Sequence, residues 1–242
     1  SEVGLHRSGN EDSALINGVL IAVADGMGGH AGGEVASKVA ITTLAQILPL
    51  LNNDEMDPES LEDFLMGSLI DIDQEIHQTV LDDDRLSGMG TTLTSIALYR
   101  DRVYVLHAGD SRAYRLRGKE LQQITKDHSV VQELIDSGAI TEAEAAFHPQ
   151  RSVLTNVLMG QGNITPLLVS YEVKPGDKFL LCSDGLNTVV SNDEINAALK
   201  GDDAISKLVE LTYERGAPDN VTVILAEVGQ SDTPTQFLGA AK

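Results

Sequence analysis

The chain has 242 residues, of which 42% are hydrophobic and 22% charged, an ordinary balance for a globular protein. Its formal net charge of -20 disfavours binding to nucleic acid or to anionic lipid, because both require basic surfaces. The single cysteine, Cys182, excludes an internal disulfide, and no apolar run approaches a membrane span, so a cytoplasmic protein is expected.

Helix signals come first along the chain. Apolar residues at helical spacing predict a helix over Val35–Leu51, after a Gly-rich loop. Asp57-Pro58 supplies an N-cap and a first-turn proline for a second helix that runs to about Val80. Capping boxes predict further helix starts at Ser129, Thr141 and Ser191.

Short β-branched segments bounded by turn residues predict strands. They are Val19–Ala24, Thr91–Tyr99, Val103–His107, Ala113–Leu116, Leu167–Val173, Lys178–Ser183 and Val221–Val228. Because helices do not alternate strictly with these strands, antiparallel sheets flanked by helices fit better than a doubly wound parallel sheet. From Gly229 onward the periodicity is lost, which predicts a tail or linker over residues 229–242.

Four aspartates stand among small residues where predicted strands begin or end: Asp25, Asp110, Asp184 and Asp219. Any one of them fits a turn, but four brought together would repel each other and raise each other's pKa. Hard divalent cations would neutralise them, and all-oxygen ligands indicate Mg²⁺ or Mn²⁺ rather than Zn²⁺. A dinucleotide-binding loop around Asp25 is the alternative, but its third glycine is misplaced and no Gly-Lys-Ser/Thr follows.

Six segments carry a resemblance to a known family. They are Arg7-Ser-Gly-Asn-Glu-Asp12, Val23-Ala-Asp-Gly-Met-Gly-Gly-His30, Gly88-Met-Gly-Thr-Thr92, Ala108-Gly-Asp-Ser-Arg112, Leu181-Cys-Ser-Asp-Gly-Leu186 and Asp219-Asn-Val-Thr222. In this order they resemble the motifs of the metal-dependent protein phosphatases (PPM, or protein phosphatase 2C). The chain is most similar to the bacterial branch of that family, which opposes Ser/Thr protein kinases.

The resemblance implies an α+β fold, a four-layer αββα sandwich of two antiparallel sheets flanked by helix pairs. It implies a catalytic domain over residues 1–228, with a small flap insert at about 126–165 that affects substrate choice. It also implies a strand ahead of Ser1 and, in some relatives, a membrane anchor after the tail. The chain is therefore expected to be a catalytic domain, either free in the cytoplasm or the cytoplasmic part of an anchored protein.

The resemblance also assigns roles at a binuclear metal centre. Asp25 would bridge two metal ions, and Gly26 would offer its backbone carbonyl to one of them. Asp184 and Asp219 would complete the ligand set for two Mn²⁺ or Mg²⁺ ions.

Four further roles follow from the same motifs. Asp12 would reach the centre through a water molecule. Asp110, together with Asp184, would hold a third and weaker ion. Arg7 would bind the phosphoryl group, for which its planar guanidinium is suited. His30 would be the general acid, since an unperturbed histidine pKa near 6.5 suits proton donation around neutral pH.

These roles predict hydrolysis of phosphoserine and phosphothreonine in proteins by a metal-bridging hydroxide, without a phosphoenzyme. Expected partners are phosphoproteins, including Ser/Thr kinases and their substrates, and the domain itself, a monomer, would contact neither nucleic acid nor membrane. The alternative is a catalytically silent phosphoprotein-binding module of the same fold, but such a module would be expected to lose metal aspartates. A two-metal nuclease is disfavoured by the acidic charge.

Overall fold

The computed structural model describes residues 1–28, 31–53, 55–165, 167–229 and 233–242, which form two antiparallel sheets with helices on both outer faces. The first sheet contains β1 (Asp12–Ile16), β2 (Leu20–Met27), β3 (Gly90–Thr91), β4 (Leu93–Tyr99), β5 (Arg102–Ala108), β8 (Leu167–Glu172) and β11 (Gln236–Gly239). The second contains β6 (Arg112–Arg117), β7 (Glu120–Gln123), β9 (Lys178–Cys182) and β10 (Val223–Glu227). Their strand orders are β11–β1–β2–β4–β5–β8, with β3 beside β2, and β10–β9–β6–β7.

The helices fall into three groups. On the first sheet lie α1 (Gly32–Leu44), α2 (Leu48–Leu51) and α3 (Pro58–Asp82). On the second lie α6 (Asp184–Asn187), α7 (Asn192–Ala198) and α8 (Ala204–Glu214). Between β7 and β8 come the short helices α4 (Val130–Asp136) and α5 (Glu142–Ala145).

Alternation along the strands produces three apolar layers. On β2, Leu20 and Ala22 pack against the first helix group, whereas Ile21 and Val23 face the second sheet. On β9 the same period of two sends Phe179 and Leu181 between the sheets and their neighbours towards α6–α8. Successive residues therefore serve different layers, and the predicted four-layer αββα sandwich is confirmed.

The first predicted helix differs from the observed one. Instead of one helix over Val35–Leu51, α1 starts at Gly32 and ends at Leu44, a 3-10 turn covers Ala45–Ile47, and α2 follows. Pro49 explains the break, because a proline lacks the N–H that a continuous helix needs but fits the first turn of a new one.

The stretch Gly32–Leu51 contradicts the expectation that no apolar run approaches the length of a membrane span. By length and composition alone it could cross a membrane, although the sequence pattern showed no such run. In the fold its buried residues, among them Ala40, Ile41 and Leu44, pack against the first sheet. An apolar helix with this much core contact is the ordinary core helix of a globular domain.

Most of the predicted helix starts are observed. The Asp57 side chain accepts the N–H of Ser60 at 2.9 Å and starts α3. The carboxylates of Glu144 and Glu194 accept hydrogen bonds from the backbone N–H groups of Thr141 and Ser191, as in capping boxes. The Ser129 box is only half formed, because the Gln132 side chain donates to Asp136 instead.

The expectation of a tail or linker for residues 229–242 is wrong for Gln236–Gly239. These residues form β11, which pairs antiparallel with β1 from Ser13↔Gly239 to Ile16↔Gln236. Phe237 packs against the core on the helix side and Leu238 against the core between the sheets. A four-residue edge strand is too short to show a hydrophobic period of its own, so its partner strand decides its structure.

Candidate metal centre

The strand registers bring five aspartates to one end of the sandwich. Asp12 lies directly opposite Asp25 across the β1–β2 ladder. Asp110 follows the end of β5, Asp184 follows the end of β9, and Asp219 precedes β10, whose Val223 pairs with Cys182 at that same end of β9. A hydrogen bond of 2.7 Å from Ser183 Oγ to Asp12 Oδ2 joins the two sheets there. The aspartates that the sequence singled out therefore converge.

Their pKa values show how unfavourable this cluster is without positive charge. Burial, followed by the charges of Asp12, Asp184, Asp110 and Asp219, raises the pKa of Asp25 well above its usual range. Burial and neighbouring carboxylates raise the pKa of Asp12 and of Asp110 to about 7. The pKa of Asp184 rises to about 6 for the same reasons, although a hydrogen bond from Asp25 partly offsets them. Cations would remove this repulsion.

Two buried carboxylate oxygens in the cluster lack a hydrogen-bond partner in the described part of the chain and could bind a cation. Asp12 Oδ1 and Asp184 Oδ1 are buried and have no hydrogen-bond partner among the described residues. An unpaired buried carboxylate oxygen is costly, and a hard divalent cation is a ligand that satisfies it. The donor chemistry therefore fits Mg²⁺ or Mn²⁺.

Within the described ranges, no three His, Cys, Asp or Glu side chains are already arranged as a metal site. Two of the carboxylates are turned towards protein donors instead: Arg7 Nη2 contacts Asp219 Oδ2, and Ser183 holds Asp12. Binding of ions would therefore require small side-chain rotations, chiefly at Asp219, which is half-buried and contacts a half-exposed arginine.

Glu11 is a site residue that the sequence analysis missed. Its carboxylate faces the start of α1, where a Cβ on Gly33 would stand 2.5 Å from Glu11 Oε2. Burial raises its pKa, the Arg7 charge lowers it, and the Asp219 charge raises it, so it shares the field of the cluster. The position of Glu11 next to Asp12 could have indicated it in the sequence. However, neighbouring side chains along a strand point to opposite faces, so only one of the two is expected to face the cluster.

Gly26 stands where no side chain fits. A Cβ there would lie 2.0 Å from the backbone oxygen of Gly33 and 2.6 Å from that of Glu11. Because Gly26 has no side chain, the end of β2 can pass between α1 and the start of β1. This close approach brings Asp25 to the cluster. His30, the expected general acid in the same loop, lies outside the described residues.

Asp110 stands at the base of the predicted flap. Gly109 adopts a φ of 110°, which turns the chain after β5, and its carbonyl accepts the N–H of His128 at 2.8 Å. Arg112 pairs in bidentate fashion with Asp127, with N–O distances of 2.9 and 2.7 Å. These contacts fix the start of residues 126–165 beside Asp110.

The metal-free protein is predicted to lose stability as the pH rises. An aspartate in an unfolded chain titrates near 3.9, whereas Asp12 and Asp110 titrate at about 7 in the fold. Between about pH 4 and pH 7 the folded protein thus binds more protons than the unfolded chain, so the free energy of unfolding falls as the pH rises. In excess chelator, Tm should fall from weakly acidic to weakly alkaline pH, and Mn²⁺ without chelator should reverse the fall. A chelated Tm that rises over this range would contradict it.

Comparison with known proteins agrees with this geometry. A family model described as protein phosphatase 2C matches residues 10–227. The serine/threonine protein phosphatase PstP of Mycobacterium tuberculosis is 44% identical over 235 residues, which cover 96% of this chain and 45% of PstP. The chain thus spans about half the length of that relative. Protein phosphatase PhpP of Streptococcus pneumoniae is 34% identical, with 96% of this chain and 97% of PhpP covered.

A solved structure is similar along nearly the whole chain. It is the catalytic domain of PstP in complex with two manganese ions. It is 41% identical with a TM-score of 0.84, and the match covers 94% of this chain and 95% of that one. The two chains are therefore similar in sequence as well as in fold.

Proposed function

The chain belongs to the protein phosphatase 2C family, and on that premise we propose that it hydrolyses phosphoserine and phosphothreonine monoesters in proteins. The observation that carries the proposal is the convergence of five aspartates. Burial and mutual repulsion raise the pKa of four of them, Asp12, Asp25, Asp110 and Asp184, and two of these have unpaired buried oxygens. Acidic clusters of this kind need cations, and cations at a phosphoryl site support phosphate ester hydrolysis.

Two Mn²⁺ or Mg²⁺ ions are the proposed cofactors, and the manganese-bound PstP domain supports Mn²⁺. Bound ions would make water nucleophilic at neutral pH and screen the phosphoryl charge. Asp25, Asp184 and Asp219 would hold them with the Gly26 carbonyl, and Asp12 would act through a water molecule. Asp110, with Asp184, would hold a third ion, which calorimetry should resolve as a weaker class of site.

Arg7 is proposed to orient the substrate. Its guanidinium contacts Asp219 and lies in the field of Glu11 and Asp184. The planar fork matches two oxygens of a phosphoryl group, so the phosphate could replace the Asp219 carboxylate as its partner. Arg7 would then position phosphorus beside the aspartates while its charge remains balanced.

His30 is proposed to protonate the leaving group, on the strength of the motif alone. A serine or threonine alkoxide is strongly basic and needs a proton, whereas p-nitrophenolate is a stable anion. His30→Ala should therefore slow phosphopeptide hydrolysis more than p-nitrophenyl phosphate hydrolysis. Equal losses on the two substrates would indicate a positioning role instead.

One assay tests the proposed function directly. The protein is dialysed against chelator and incubated with a phosphothreonine peptide, with and without Mn²⁺, and phosphate release is measured. Release should require Mn²⁺ and should be far slower from a matched phosphotyrosine peptide. Tight peptide binding without phosphate release would instead support the catalytically silent module, and full turnover in excess chelator would rule out the two-metal model.

The wider setting follows from the same proposal. The catalytic domain would act on phosphoproteins, including Ser/Thr kinases and their substrates, as a monomer in the cytoplasm. Residues 126–165 would contribute to substrate choice, since α4 buries no residue and Phe147 beyond α5 is 88% exposed. Exposed side chains in the middle of this segment can contact a protein substrate.

A further inference from the structure

Asp73 is a buried acid that the proposed chemistry does not use. It lies in the middle of α3, where its residue is 5% exposed. Its Oδ1 accepts the backbone N–H groups of Met159 at 3.0 Å and Gly160 at 2.7 Å, and its Oδ2 accepts that of Gly162 at 2.8 Å. Three backbone donors thus surround one carboxylate, an arrangement that stabilises its negative charge.

The donors belong to residues 158–162, here called the anchor loop, which lie near the C-terminal end of the flap. Gly160 and Gly162 both adopt positive φ, at 72° and 69°, which points successive N–H groups at the carboxylate. A Cβ on Gly160 would stand 2.6 Å from the backbone nitrogen of His77 on α3, so only glycine allows this approach. His77 Nδ1, one turn after Asp73, lies 2.9 Å from the Gly160 oxygen. The loop is therefore fastened to α3 at two points.

The other face of the anchor loop leads to the acidic cluster. Leu158 is fully buried and exchanges two backbone hydrogen bonds with Thr91 of β3, at 2.9 and 3.0 Å. The Thr91 hydroxyl lies 2.9 Å from the backbone oxygens of Asp25 and of Thr92, and it can donate to either. The N–H of Thr92 donates to the Asp25 oxygen at 2.9 Å. The peptide that joins Asp25 to Gly26 is thus held by β3, and β3 is held by the anchor loop.

We propose that Asp73 is a positioning residue for the metal centre, acting on Asp25 and Gly26 through the anchor loop and Thr91. This inference rests on the proposed function only in taking Asp25 and Gly26 as metal ligands. The Asp25–Gly26 peptide lies between the Asp25 side chain and the Gly26 carbonyl, the two groups proposed as metal ligands, so its orientation would affect both. Outer contacts that orient ligands typically change metal affinity by about 10- to 100-fold.

A carboxylate is required because the loop presents three donors. Asparagine at position 73 would keep the shape but offer one acceptor oxygen, and its NH₂ group would face a backbone N–H. An unsatisfied buried donor of this kind loosens the segment that carries it. Asp73→Asn should therefore release the anchor loop without removing any metal ligand.

The test compares two substitutions on the same helix. Asp73→Asn breaks the loop contact, and Asp57→Ala removes the N-cap of α3, which lowers stability at the other end of the helix, far from the loop. Mn²⁺ dissociation constants are measured by calorimetry. Hydrogen–deuterium exchange rates are measured for the backbone amides of Met159, Gly160 and Gly162. We expect Asp73→Asn to weaken Mn²⁺ binding about 10-fold and to speed exchange of those amides. Asp57→Ala should leave both unchanged.

A second pair of variants keeps the test decisive if Asp73→Asn does not fold. Thr91→Val keeps the buried shape but removes the hydroxyl that holds the Asp25 oxygen, and Thr91→Ser restores that hydroxyl. Thr91→Val should weaken Mn²⁺ binding, and Thr91→Ser should bind as the unmodified protein does. Faster exchange in Asp73→Asn with unchanged Mn²⁺ affinity, or wild-type affinity in Thr91→Val, would overturn the inference. Failure of the unmodified protein to bind Mn²⁺ would instead refute the proposed function.

Discussion

Asp25→Asn should lower kcat for a phosphothreonine peptide by about 10³-fold or more, while raising the Tm of the metal-free protein. The loss of activity follows from the proposed role of Asp25 in holding both cations. Without them several kcal/mol of charge stabilisation would be lost, at about 1.36 kcal/mol per decade of rate. The gain in stability follows because burial, and then the charges of four other carboxylates, raise the pKa of Asp25. An amide at that position removes one source of repulsion.

Opposite changes in activity and stability distinguish this result from simple unfolding. Asp202→Asn, an exposed position in the loop before α8, removes the same charge away from the cluster and should alter neither quantity much. Steady-state kinetics in Mn²⁺ and thermal melts in excess chelator measure the two effects. A lower metal-free Tm for Asp25→Asn than for Asp202→Asn would mean that the carboxylate stabilises the fold, contrary to the charge argument.

Arg7→Ala should lower kcat/KM for phosphopeptide by about 10²-fold, yet leave Mn²⁺ bound at least as tightly as in the unmodified protein. The first effect would be the loss of the two charge-assisted hydrogen bonds that Arg7 is proposed to make to the phosphoryl group, each of which contributes about 1.5–3 kcal/mol. The second arises because Arg7 contacts Asp219, so its removal frees that carboxylate for a cation. Substrate binding and metal binding should thus respond in opposite senses.

Arg7→Lys is the matched control. It keeps the positive charge but loses the fork, so its kcat/KM should fall between those of the unmodified protein and Arg7→Ala. Calorimetric titration with Mn²⁺ separates the metal effect from the kinetic one. A marked loss of Mn²⁺ affinity in Arg7→Ala would show that Arg7 holds Asp219 in place for the metal, and the proposed exchange of partners would fail.

Local signals explain what could be predicted from the sequence. Each aspartate that is proposed to bind metal stands beside an apolar strand and close to small residues, and this pattern is complete within a few residues of Asp25 or Asp184. Helix starts such as Asp57 and Thr141 depend on contacts across three residues. The alternation that assigns successive residues of β2 to different layers is likewise local. The residue patterns predicted antiparallel sheets flanked by helices, whereas the four-layer arrangement was implied by the family resemblance.

The remaining features depend on partners far apart in the chain. The strand β11 exists because β1 lies beside it, more than two hundred residues earlier, and its own four residues carry no period. Glu11 reaches the cluster only because Gly33 leaves room for its carboxylate. Asp73 looks like one more acid on an acidic helix until the anchor loop folds onto it. Secondary-structure propensity and hydrophobic periodicity depend on residues within one turn or one strand. These three contacts form only when the layers pack together, so only the tertiary structure decides them.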